Sequence, residues 1–148
     1  MEKSLAVYQL LKEIFFILED GERTLFSRYD LTVPRFYTLK HIAENPGISL
    51  SNLSTKMLSD KGNISRIVKG MEADGLVVRE QHESDGRALC LFLSEEGTSL
   101  CEEVVNAHDR FNMERLSILD GDTELLYNKL NIIREYLADN LEPSRLTQ

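Results

Sequence analysis

A short polar run in the middle of the chain carries the side chains with the most recognisable chemistry. It combines cationic, amide and hydroxyl groups with one glycine, in the order Lys61, Gly62, Asn63, Ser65, Arg66 and Lys69. Arginine pairs well with guanine edges and asparagine with adenine edges, while lysine contacts phosphates. The chemistry that these residue types offer is therefore binding to double-stranded DNA.

The spacing of this run predicts an amphipathic helix. With Lys61 at zero and about 100° per residue, the apolar residues share one sector: Ile64, Ile67, Val68 and Met71. The opposite sector holds no acid, and glycine at position 62 would let a backbone come close to the helix. Such a helix suits the major groove. For the segment taken alone, an ordinary helix with a solvated polar face is the alternative interpretation.

The preceding sequence predicts the elements that would position this helix. Apolar residues at helical spacing indicate a helix over about 3–28, with Asp20-Gly21 as a kink or a weak point, and a second over about 32–44. Ser49 then caps a short helix, and Ser59-Asp60 caps the polar one, which runs to Asp74-Gly75. Two short helices joined by a tight turn form a helix-turn-helix.

The following sequence predicts a hairpin and then two more helices. Residues 76–79 and the alternating Leu89, Leu91 and Leu93 indicate two strands with a long polar tip between them. Ser94 begins a long helix, and after Asp120-Gly121 a last helix carries the stripe Leu126, Leu130, Ile133, Leu137 and Leu141. The predicted fold is mainly α (α+β), a winged helix-turn-helix flanked by terminal helices.

From Leu31 to about Leu100 the chain resembles the MarR family of bacterial and archaeal regulators. The motifs that carry the resemblance are Leu31-Thr32, Gly47-Ile48-Ser49-Leu50-Ser51-Asn52-Leu53, 60–68 and 74–77, and most clearly Asp85-Gly86-Arg87 before Leu93-Ser94-Glu95-Glu96-Gly97. Two residues depart from the pattern. Ser94 stands where threonine is usual, although serine caps a helix equally well, and Gly86 replaces a longer, often basic residue.

This resemblance implies a single unit over 1–148, with a DNA-binding lobe at about 30–97 and dimerisation helices at about 1–29 and 98–148. It also implies a homodimer whose terminal helices intertwine over well above about 2,000 Å². Regulators of this kind bind pseudo-palindromic operators, usually as repressors that a small ligand or cysteine oxidation releases. We therefore expect a sequence-specific, ligand-responsive repressor in the cytoplasm.

Two further groups of residues are expected to contact DNA. Arg87 in the wing is expected to reach the minor groove, with Asp85 holding its guanidinium through a bidentate contact. Ser49 and Ser51, at the start of the third helix, are expected to donate hydroxyl or backbone N–H groups to phosphate, with simple capping as the alternative.

The charge distribution is compatible with a DNA partner despite a formal net charge of −8. Lys and Arg number 6, 6 and 5 in residues 1–48, 49–93 and 94–148, against 7, 6 and 12 Asp and Glu, so the net charges are −1, 0 and −7. The excess acid thus lies in the C-terminal third, and the central segment can still present a positive face. Neither a signal peptide nor a membrane span is predicted.

The resemblance also suggests an effector pocket for a small aromatic acid, lined by Phe15, Tyr37 and His41. A zinc-responsive regulator using His41, His108 and Glu44 is an alternative, although no metal or other cofactor is expected. Cys90 and Cys101 are interpreted as reduced, largely buried thiols, with redox activity of either one as the alternative.

Two other classes of function fit the sequence less well. Catalysis is not expected, because the three histidines fall on separate predicted elements and no nucleophile motif accompanies them. A winged helix that binds protein and has given up DNA is the main alternative, favoured by the acidic total charge and opposed by the acid-free polar face.

Overall fold

The computed structural model describes residues 2–81 and 89–140, which contain the predicted order of helices and strands. The helices and strands, in chain order, are α1 Lys3–Ser27, α2 Val33–Glu44, α3 Leu50–Lys56, α4 Lys61–Ala73, β1 Val77–Gln81, β2 Leu89–Leu93, α5 Glu95–Arg115 and α6 Thr123–Asp139. A 3-10 turn over Ser117–Asp122 lies where Asp120-Gly121 predicted a break. The winged helix-turn-helix prediction is confirmed.

Helix α1 runs unbroken through Asp20-Gly21, where the sequence predicted a kink or a weak point. A glycine inside a helix costs only about 1 kcal/mol relative to alanine. Local side chains reinforce this stretch, because Arg23 pairs with Asp20 at 3.1 Å and Thr24 donates a hydrogen bond to the Asp20 carbonyl at 3.3 Å. The local cost is therefore too small to break the helix.

Side-chain caps set the starts of the three helices around the turn. Thr32, Ser49 and Asp60 accept hydrogen bonds from the third backbone N–H that follows each of them, at 3.3, 3.1 and 2.8 Å. Each bond satisfies a backbone donor that has no partner inside the helix. These caps confirm the predicted helix starts to within one residue.

The two strands pair antiparallel, from Val77 opposite Leu93 to Gln81 opposite Leu89. A third segment joins this sheet, because Ile48 forms an isolated antiparallel bridge with Leu91. The Gly47 N–H donates to the Leu91 carbonyl at 2.8 Å, and the Leu91 N–H donates to the Ile48 carbonyl at 3.0 Å. Gln81, where the polar tip was predicted to begin, is the last residue of β1, and the rest of the predicted tip, 82–86, lies outside the described residues.

The chain divides into two compact units, Met1–His108 and Asp109–Gln148. The first has a core contributed by α1, α2, α3, α4, β2 and α5: Phe26, Phe36, Leu39, Ile42, Leu53, Ile64, Val68, Met71, Leu91 and Val104. At its centre the rings of Phe26 and Phe36 stack with centroids 4.1 Å apart. In the second unit no residue of α6 is buried.

A close backbone approach fixes the start of α5. Ser94 caps this helix by accepting from the Gly97 N–H at 2.9 Å, and its hydroxyl donates to the Gly75 carbonyl at 2.6 Å. A Cβ atom at position 97 would lie 2.1 Å from the Leu76 carbonyl oxygen. Only glycine fits against the hairpin there without moving the backbone.

Replacing Gly97 by alanine is expected to lower the free energy of unfolding by about 1–3 kcal/mol, the usual cost of overpacking. Thermal unfolding at fixed protein concentration measures it. The control is Gly121→Ala, because a Cβ at position 121 would meet nothing within 4 Å. Equal melting temperatures for the two variants would contradict the assignment.

Candidate nucleic-acid interface

The polar face predicted for α4 is present. Lys61, Gly62, Arg66 and Lys69 are exposed, while Asn63 and Ser65 are half-buried. On the other side Ile64, Val68 and Met71 are fully buried in the first unit. Packing of this apolar stripe therefore fixes which side of α4 faces solvent.

Asn63 links the start of α4 to its arginine. The Asn63 side-chain amide donates to the Ser59 hydroxyl at 3.0 Å, and its carbonyl oxygen accepts from the Arg66 guanidinium at 2.7 Å. Both polar atoms of Asn63 are thus engaged within the chain. In this arrangement Asn63 orients Arg66, and a contact to adenine would use the second N–H of its amide and the second lone pair of its oxygen.

Gly62 lies against the cap of the same helix. A Cβ atom there would come within 3.2 Å of Asp60 Oδ1, the oxygen that accepts from the Asn63 backbone N–H. A larger residue would therefore press on the carboxylate that starts α4. This is a structural reason for glycine beside the predicted one, close approach to a ligand.

Two ion pairs neutralise the acids at the other end of α4. Glu72 accepts from Arg79 of β1 at 2.7 Å, and Asp74 accepts from Arg35 of α2 at 2.6 Å. Sequence reasoning missed both arginines, because each pair joins different elements and leaves no local signal. The pairs leave the cations of α4 without a competing free carboxylate on that helix.

The structure places the two α3 serines in different settings. Ser49 is half-buried and caps α3 by accepting from the Asn52 N–H, whereas Ser51 is exposed. Sequence reasoning missed Lys56, an exposed cation in the last turn of α3. Its position in a helix next to the turn was the signal that could have identified it.

The predicted wing contacts, Asp85 and Arg87, lie outside the described residues, as does His82. Their roles stay predictions from the sequence. The two strands that precede and follow the tip are described, and they pair from Val77 opposite Leu93 to Gln81 opposite Leu89.

The predicted effector residues occupy distinct surroundings. Phe15 is exposed on α1 and packs edge-on against Phe16, with ring centroids 5.7 Å apart. Tyr37 donates its hydroxyl to Glu22 at 2.7 Å. His41 lies one turn after Tyr37 on α2, and burial lowers the pKa of its imidazole despite the nearby Glu44 carboxylate. The pocket built from these three residues stays a prediction.

The residues of the alternative zinc site are not brought together to bind a metal. His108 lies among the rings of Phe26, Phe36 and Tyr37, and its Nε2 is 3.5 Å from Glu22. Within 2–81 and 89–140, no three His, Cys, Asp or Glu side chains are placed to hold a metal ion.

The two cysteines differ in burial. Cys101 is buried and Cys90 half-buried. Burial raises the pKa of the Cys101 thiol, and the Glu44 and Glu102 carboxylates raise it further. A buried thiol with a raised pKa is a poor nucleophile, so we expect Cys101 to be unreactive.

Comparisons with known proteins agree with this geometry. A family model described as MarR family matches residues 29–88. The chain is 31% identical over 101 residues to the transcriptional regulator HosA of Escherichia coli O111:H-, covering 68% of this chain and 75% of HosA.

None of the described helices is long and apolar enough to cross a membrane.

Solved structures show the same fold. AbsC, a MarR family transcriptional regulator from Streptomyces coelicolor, has a TM-score of 0.83 at 24% identity, covering 95% of this chain and 97% of AbsC. FabT of Streptococcus pneumoniae, crystallised in complex with DNA, has a TM-score of 0.78 at 22% identity, covering 92% of this chain and 98% of FabT.

The chain belongs to the MarR family of DNA-binding transcriptional regulators, because its sequence relationship to HosA, its winged helix-turn-helix and the acid-free cationic face of α4 all indicate this family.

Proposed function

We propose that the chain acts as a homodimer that binds a pseudo-palindromic operator and inserts α4 of each subunit into the major groove. The exposed face of α4 carries the proposal: it holds Lys61, Arg66 and Lys69, and ion pairs with other elements neutralise Glu72 and Asp74. Phosphate binding needs such a local cationic surface even in an acidic protein.

Within this interface the roles follow from the side chains. Arg66, held by Asn63, reads a base edge, and Ser65 lies beside it. Lys61 and Lys69 contact phosphates, and Gly62 lets the sugar-phosphate backbone approach. Ser49 and Ser51 contact phosphate at the start of α3, and Lys56 adds a cation at the other end of that helix.

Replacing Arg66 by alanine is expected to weaken operator binding by about 1–3 kcal/mol per half-site contact and to relax preference at one base position. Selection of bound sequences from random DNA identifies the operator, and fluorescence anisotropy measures affinity. Arg110→Ala, which removes an exposed cation of α5, is the control.

Binding of the Arg66 variant to random DNA should hardly change, because base reading contributes little there. An equal loss on operator and random DNA would contradict base reading. If selection enriches no sequence with the unaltered protein, the DNA-binding proposal itself fails and a protein-binding winged helix takes its place.

Replacing Arg87 by alanine is expected to weaken binding to most sequences, because minor-groove reading depends on groove width and potential. The salt dependence of log K should become shallower by about one for each phosphate that the variant no longer neutralises.

Replacing Asp85 by alanine tests whether this carboxylate orients Arg87 or only adds negative charge near the DNA. If Asp85 orients Arg87, the variant should bind more weakly, and a measured gain in operator affinity would exclude that role.

Exposed apolar helices support the homodimer. On α1, large apolar residues remain about half exposed or more: Leu5, Val7, Tyr8, Leu10, Phe15, Phe16 and Ile17. On α6, four residues of the predicted stripe are between 37% and 58% exposed, namely Leu126, Leu130, Ile133 and Leu137. The fifth, Leu141, lies outside the described residues. Apolar surface of this extent marks an interaction site. We assign dimerisation to about 1–29 and 98–148, and DNA binding to about 30–97.

Leu130→Glu is expected to convert the dimer to a monomer of 17.0 kDa, because it would bury an unpaired carboxylate twice in a symmetric interface. Sedimentation equilibrium at micromolar concentration measures the mass. Asn128→Glu adds the same charge to the opposite face of α6 and should remain dimeric. A monomeric unaltered protein would contradict the proposal.

The proposed function includes repression of transcription and its release by a small molecule. Occupancy of an operator by the dimer blocks transcription, and a small aromatic effector releases it. The family to which the chain belongs supports a regulator in the cytoplasm with no catalytic role.

A further inference from the structure

A cavity of about 500 Å³ lies in the first unit, apart from the three residues predicted to bind an effector. Its walls come from the C-terminal end of α2, the turn after it, β2 and the first half of α5. Most of the lining is apolar, including Ala43, Pro46, Phe92, Leu93 and Val105. Its volume and lining are those of small-molecule sites.

The charged groups of this cavity are unbalanced. Glu44 and Glu102, whose side chains are both exposed to solvent, line it together with a single cation, Lys40. In the described part of the chain neither carboxylate takes part in an ion pair or a side-chain hydrogen bond. Cys101 also lines the cavity; burial raises the pKa of its thiol most, both carboxylates raise it further, and Lys40 opposes them. The local field therefore favours a positive charge.

The walls of the cavity also hold the DNA-binding helices. Pro46 belongs to the turn that leads to α3, and the adjacent Gly47 donates to the Leu91 carbonyl at 2.8 Å. Phe92 packs close to Gly47, since a Cβ atom there would lie 3.4 Å from the phenyl ring. An occupant that contacts Pro46 and Phe92 thus acts on the joint between α3 and the hairpin.

We propose that this cavity binds a small lipophilic cation, an apolar or aromatic body with an amine, and that its occupancy changes operator affinity. The apolar walls hold the body, and Glu44 and Glu102 bind the ammonium group. An aromatic acid of the same size would meet two carboxylates and one lysine. The effect on operator affinity rests on the proposed function, whereas binding of the cation does not.

Isothermal titration of the full-length protein without DNA tests the site. The probes are naphthylethylammonium and naphthylpropanoate, which have the same ring system and opposite charges. We expect the ammonium compound to bind at least about tenfold more tightly, a difference of about 1.4 kcal/mol. Equal binding, preference for the acid, or no binding of the cation by folded protein would overturn the proposal.

Matched variants locate the binding. Glu102→Gln and Glu44→Gln are each expected to weaken naphthylethylammonium binding by about tenfold or more, whereas Glu103→Gln should leave it unchanged, because Glu103 is exposed like them but lies outside the lining. Circular dichroism checks that each variant is folded. Equal binding by all four proteins would place the cation elsewhere and overturn the assignment.

Operator affinity is then measured with and without the cation. A change of at least about threefold that is lost in Glu102→Gln supports the coupling, and a bound cation without such a change overturns that half of the proposal. If the protein alone binds no operator, the proposed function fails, while the titration still decides the cation site.

Discussion

Two backbone hydrogen bonds hold the turn between α2 and α3 against the middle of strand β2. They join Gly47 and Ile48 to Leu91, whose side chain is fully buried in the core. Ser49, the cap of α3, follows directly, so the start of the helix-turn-helix is tied to the hairpin. A backbone bond in a buried setting is costly to break. The angle at which α3 leaves the sheet, and with it the position of α4, depends on this joint.

Electrostatics at α4 follow from what surrounds it. Residues 49–93 have a net charge of zero, so the sign of the charge on any one face depends on which groups its carboxylates contact. Asp60 caps the helix, while Glu72 and Asp74 are paired with Arg79 and Arg35. These two ion pairs, whose carboxylates are about half exposed, neutralise the acids at the C-terminal end of α4. The protein thus combines an acidic total charge with a surface suited to phosphates.

A buried aromatic cluster joins three helices of the first unit. His108 of α5 lies against Phe26 and Phe36, which stack on each other, so α1, α2 and α5 meet in one group of rings. Tyr37 and Glu22 add a hydrogen bond at its edge. Aromatic pairs of this kind contribute about 0.5–1.5 kcal/mol beyond the area they bury. Through His108, the cluster therefore joins α5 to the helices that support α4.

What the sequence determined by itself was local. Apolar residues at helical spacing and caps at Thr32, Ser49 and Asp60 predicted the helix bounds and the orientation of α4, because hydrogen bonds of a helix and its cap join residues three or four positions apart. The tertiary structure decided the rest. It paired Arg35 with Asp74, buried His108 among rings instead of beside His41, and placed Glu44 and Glu102 around one cavity. These contacts join residues far apart in the chain, and packing of the core, which no local pattern encodes, determines which of them meet.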